Sequence, residues 1–161
     1  MKKLVGLYDR AVAFVSGSFG EAITLLFVRV ALAGIFWRSA RAKVEEGSLL
    51  SVSENARYQF SDEPFNNVPI LNGDLGAYVT TYAEHFFPIL LILGLFTRLS
   101  ATALLVMTLV IQFFVIPDAW WQVHILWVAL ALVLIVRGGG ALSLDRLLAG
   151  KRTTAAGMPA G

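Results

Sequence analysis

Four apolar blocks punctuate the chain, at about residues 22–37, 75–96, 99–116 and 119–136. Each approaches the ~20 residues needed to cross a hydrocarbon core. The first ends on a polar and aromatic edge of Trp37, Arg38, Arg41 and Lys43, where Trp anchors at a membrane boundary and long basic side chains snorkel to it. Its small residues Ala31, Ala33 and Gly34 let a neighbouring helix approach closely. Ahead of it, residues 1–20 place Leu4, Leu7, Ala11 and Val15 at helical spacing. They read as an amphipathic helix lying in the membrane interface, or else as an extension of the next helix. Residues 45–74 form a polar, acidic connection rich in turn formers. Leu49, Leu50, Tyr58, Phe60 and Phe65 make it too apolar for a free linker, so it should fold back over the bundle, with room for one short helix. Thr97-Arg98 and Pro117-Asp118 mark tight turns between the later blocks. Arg137 and Gly138-Gly139-Gly140 end the last block, and Ser143 to Leu148 reads as a short amphipathic end helix.

This pattern predicts an all-α fold: a four-transmembrane-helix bundle with an N-terminal interfacial amphipathic helix. The segments are 1–20 (interfacial helix), 21–148 (membrane domain with outer loop 45–74) and 149–161 (disordered tail). Composition agrees. Of 161 residues, 57% are hydrophobic and 15% charged, against about 45–50% and 25% in soluble domains. Mean hydropathy is +0.71. With no cysteine, disulfides, thiolate metal sites, thiol catalysis and covalent c-type haem are excluded. Lys2, Lys3, Arg10, Arg98, Arg137, Arg146, Lys151 and Arg152 fall on one side of the four blocks, and the acidic loop falls on the other. The positive-inside rule then puts both termini in the cytoplasm and 45–74 outside, in a bacterial cytoplasmic membrane.

The second block, Leu75 to Phe96, carries Glu84 and His85 near its middle. A carboxylate at that depth costs about 2.5 kcal/mol or more and needs a partner, a proton or water. Pro88, four residues on, denies the Glu84 carbonyl its helical donor. In this topology Arg38, Glu84, His85, Gln112 and His124 all lie in the outer half, so a polar cavity opening outward is expected, ringed by Trp37, Trp120 and Trp121. Arg29 is the exception. It is a candidate partner for Glu84, with Arg38 and His124 as alternatives. The heights of Arg29 and Glu84 differ by about 7 Å, and helical side chains lean toward their own N-terminus, which lengthens that gap.

Arg29 with Ala33-Gly34-Ile35-Phe36 and Lys43, Glu84 with Leu91-Ile-Leu-Gly-Leu-Phe-Thr-Arg98-Leu-Ser, and Arg137-Gly-Gly-Gly-Ala-Leu-Ser-Leu-Asp-Arg-Leu-Leu148 resemble the DoxX family over about residues 22–148. The resemblance implies a small protein with four membrane helices, linked to the quinone-associated subunit of thiosulfate:quinone oxidoreductase and to membrane redox or stress-related complexes. It points to Arg29, Glu84 and Arg98. The expected site therefore has Glu84 and Arg29 in catalytic roles and Arg38, His85, Trp121 and His124 around a cofactor. Whether the chain is itself an enzyme stays open. A quinone fits an apolar slot with a proton donor or acceptor. A copper, zinc or haem role is the alternative, weakened because Glu84 and His85 point about 100° apart on a helix. A scaffold with polar residues as interhelical glue is a third reading. Expected partners are the lipid bilayer and other membrane or extracytoplasmic subunits, or a second copy of the chain, but not nucleic acid.

Overall fold

The computed structural model describes residues 1–156. Helix α1 spans Lys2–Ser16 and α2 spans Ser18–Arg41, joined at the extended Gly17. The connection carries α3, Glu54–Ser61, capped by the Ser53 hydroxyl accepting from the Ala56 N–H. Helix α4 spans Gly73–Leu93 and runs unbroken through Pro88. Helix α5 spans Thr97–Val110 and widens into a π segment at Ile111–Val115. After the Pro117–Ala119 turn, a second π segment at Trp120–His124 leads into α6, Ile125–Arg137. Helix α7 spans Leu144–Ala156. Among the described residues there is no strand, only one isolated bridge pairing Val44 with Val52.

Three stretches are long and apolar enough to cross a membrane: Ser18–Arg41, Thr97–Val115 and Pro117–Arg137. The remaining block, the second, folds as α4, equal in length to the last of these, but its polar residues lower its hydropathy. Those residues point inward, with Thr81, Glu84 and His85 buried. Helix α4 packs on α2, α3 and α5, while α6 packs on α5 and α2. The core between them is Leu25, Leu32, Phe36, Leu91, Leu104 and Leu134 with Ala33, Ala101 and Ala131. These alanines let the helix backbones approach closely around the larger side chains.

At residues 149–161, for which disorder was expected, the helix α7 continues to Ala156; the remainder lies outside the described residues.

Candidate functional site

Residues from the first, second and last blocks meet in a knot at one end of the bundle. Helix α4 ends at Gly94 in the left-handed conformation, φ +67°, with the Leu95 N–H donating to Leu90 O. A Cβ at Gly94 would overlap Arg29 Nη1 and Ser143, so the close approach requires glycine. Arg29 is fully buried. Its guanidinium donates to Leu91 O and Ile92 O, each at 3.3 Å, and to Leu142 O. The cation thus caps the carbonyl end of α4, where the helix dipole favours positive charge. Asp145 caps the opposite polarity. It accepts from the Phe96 and Thr97 N–H groups, both at 2.8 Å, at the start of α5, while its own N–H donates to Gly94 O. Arg98 donates to Val136 O, and Arg137 pairs with Glu21.

Arg29 therefore does not pair with Glu84, correcting the leading alternative for that carboxylate. Each side chain leans toward its own N-terminus. In two antiparallel helices that carries Arg29 and Glu84 toward opposite ends.

Glu84 turns instead to Lys43. Nζ lies 2.6 Å from Glu84 Oε2 and 2.7 Å from Ser39 Oγ, and the Ser39 hydroxyl donates to Glu84 Oε1 at 3.2 Å. Lys43 sits just past α2, four residues from Ser39 and on its face. A short hairpin holds it there: Ser53 N–H donates to Lys43 O and Glu45 N–H to Ser51 O. The ammonium is nearly enclosed and the carboxylate is 1% exposed, so each charge is neutralised where water is scarce.

This ion pair forms one side of a cavity of about 370 Å³, within the range of small-molecule sites. Helix α5 and its π segment supply apolar walls with Met107, Val110 and Val115, and the connection covers the cavity with Phe60, Phe65 and Val68. The Phe60 and Phe65 rings lie 4.9 Å apart. Arg57 holds α3 against the start of α4 through Asp74, Nε to Oδ1 at 2.8 Å. That hydrogen bond holds the Asp74 carboxyl below its usual range. Val106 and Ile116 line the cavity and are 54% and 49% exposed.

His124 and Trp127 enter from the segment beginning at Trp120. The Gln112 amide donates to Pro117 O at 2.6 Å, and its Oε1 accepts from His124 Nδ1 at 2.7 Å. Both residues belong to π segments, a geometry frequent at functional sites. The His124 ring also packs edge-on against Trp127.

Of the expected site residues, Glu84 and His124 share the cavity. The others do not line it. Arg29 is in the knot, and Arg38 is exposed. Trp121 is 77% exposed and is not among the residues that line the cavity. His85 donates from Nδ1 to Thr81 O at 2.8 Å and packs on Trp37, centroids 5.2 Å apart. Reasoning from sequence missed Lys43 and Ser39 as partners of Glu84, and Gln112 as the residue that orients His124. The Ser39/Lys43 spacing was the available signal. Among the described residues, no three metal-ligating side chains converge.

The DoxX family profile matches residues 24–117. An uncharacterized protein of Haemophilus influenzae (strain ATCC 51907 / DSM 11121 / KW20 / Rd) is 32% identical over 136 residues, covering 80% of this chain and 85% of the relative. No solved structure matches. With apolar helices of membrane-crossing length, the chain is an integral membrane protein and belongs to the DoxX family.

Proposed function

We propose that the chain binds a quinone-class carrier in the Lys43–Glu84–His124 cavity, as the membrane subunit of a redox-linked complex. The cavity carries this reading: a mostly apolar chamber of about 370 Å³ with a buried ion pair and a histidine. It suits a ring with polar oxygens and an apolar body. Glu84 and His124 are the groups able to exchange a proton with a bound oxygen. The sequence holds no cysteine and no flavin or nucleotide motif, so electrons would come from a partner subunit. A copper, zinc or haem site fits less well, since His85 is engaged away from the cavity by Thr81 and Trp37.

The same reading makes α4 a fourth span, in the bacterial cytoplasmic membrane with both termini inside. Its 21 residues rise about 31 Å. Its buried side is polar, while Val79, Phe86, Ile89, Ile92 and Leu93 stay exposed for lipid. Helix α1, with Leu4, Leu7, Phe14 and Val15 exposed, would lie in the interface.

The test is to extract quinones from purified protein and to titrate a short-chain quinone into protein in lipid nanodiscs. Saturable binding of at least one redox form of that carrier is expected, and Glu84→Gln should weaken binding of the hydroxyl-bearing form at least tenfold. Absence of binding, with no partner-dependent quinone reduction in membranes, would refute the assignment.

A further inference from the structure

The two most deeply buried polar groups of the cavity both present acceptors. At the ion pair, the three Lys43 protons are directed to Glu84 Oε2, Ser39 Oγ and Ser39 O. The single Ser39 proton goes to Glu84 Oε1. Donors on that side are therefore consumed within the protein, and what remains is lone-pair capacity on the Glu84 carboxylate.

His124 reaches the same state by a relay. Pro117 O can only accept, so the Gln112 amide must face it with its NH₂. That leaves Gln112 Oε1 toward His124, and an amide oxygen can only accept, so Nδ1 carries the proton. Nε2 of the neutral ring is then a bare lone pair. It has no hydrogen-bond partner among the described residues and is not one of the fully enclosed unpartnered atoms, and His124 lines the cavity. The unconsumed donors among the lining residues belong to less buried side chains: the Thr80 hydroxyl and the Trp127 indole N–H on half-buried residues, and the exposed Gln59 amide.

Resting on the proposed quinone-class site, we infer that the cavity selects its ligand in the hydroxyl-bearing reduced form, with Gln112 as the positioning residue that sets this preference. A quinol offers O–H donors to His124 Nε2 and Glu84. A quinone sets carbonyl oxygens against those acceptors and leaves buried atoms on both sides unpaired. An organic cation would also donate, but the Lys43–Glu84 charges already balance, and a further buried positive charge is unfavourable.

The experiment compares decylubiquinol under anaerobic reducing conditions with decylubiquinone, each titrated into the protein in nanodiscs. The quinol should bind about tenfold more tightly, the scale set by unpaired buried acceptors. Gln112→Leu, which frees the His124 tautomer, should bring the ratio toward one while binding persists. Nitrogen NMR of ligand-free protein should show His124 protonated at Nδ1 and bare at Nε2, a readout that does not depend on any variant folding. Equal affinities, tighter quinone binding or the opposite tautomer would overturn the inference while the proposed site stands. Binding of neither form would remove both.

Discussion

The protein buries charge in two places and uses it differently. In the knot of Arg29, Gly94 and Asp145, each charged group is directed at main-chain atoms of helix ends and loops. Nothing there opens on the 370 Å³ cavity. In the cavity, Lys43, Ser39 and Glu84 satisfy one another through side chains, and lone-pair capacity remains on the open side. Backbone-directed charge fixes the fold, because moving it orphans several carbonyls or amides at once. Side-chain-directed charge beside a void is cheaper to disturb and can meet a ligand.

Arg29→Met breaks the first kind of site and should have the largest effect on stability. It removes the Arg29 donor from Ile92 O and Leu142 O and leaves Leu91 O with only the Gly94 N–H, at about 3 kcal/mol or more. Thermal unfolding in detergent should show it as a marked drop, or the protein should fail to accumulate. Glu84→Gln tests the second kind. It leaves the Lys43 ammonium without its counter-charge at a cost of about 2–3 kcal/mol and should abolish tight ligand binding. The double variant Lys43→Met/Glu84→Gln removes both charges, so stability should recover much of that loss while binding does not return. Recovery of both would mean that the pair is only structural.

Asp145→Ala should cost about 1–2 kcal/mol through the lost cap on α5, with ligand affinity unchanged in the folded fraction. Trp121→Ala should change stability by less than about 0.5 kcal/mol and leave ligand affinity alone; loss of binding would reinstate the tryptophan at the mouth.

The smallest effect concerns the cover. Because Asp74 is held below its ordinary range by Arg57, the link stabilises the fold above the unfolded-state value of about 4. That contribution is lost as pH falls further, through the folded-state value. Amide exchange in α3 should accelerate at that acid edge, and Asp74→Asn should abolish the dependence.

Much of this architecture was legible as hydropathy. The apolar blocks, the turns at Thr97 and Pro117 and the fold-back of the 45–74 connection follow from spacing and turn residues. The burial of Glu84 was legible too, and the lean of helical side chains already argued against Arg29 as its partner. Lys43 was harder to read. It lies in the connection, and only the Val44–Val52 bridge and the hairpin around it turn its side chain back over Glu84. The π segments left no trace in the apolar periodicity, because one extra residue per turn is invisible where most side chains are hydrophobic. The pairing of Gln112 with His124 across the Pro117 turn was hidden for that reason.

Val106, half-exposed on the cavity wall, belongs to a helix of membrane-crossing length, so the proposed ligand would have a lateral way in from lipid there. A greasy molecule could slip in sideways from the acyl chains without crossing water. Occupancy would then follow the mole fraction of ligand dissolved in lipid, and diluting the same amount of ligand into more bilayer would empty the site even at constant bulk concentration.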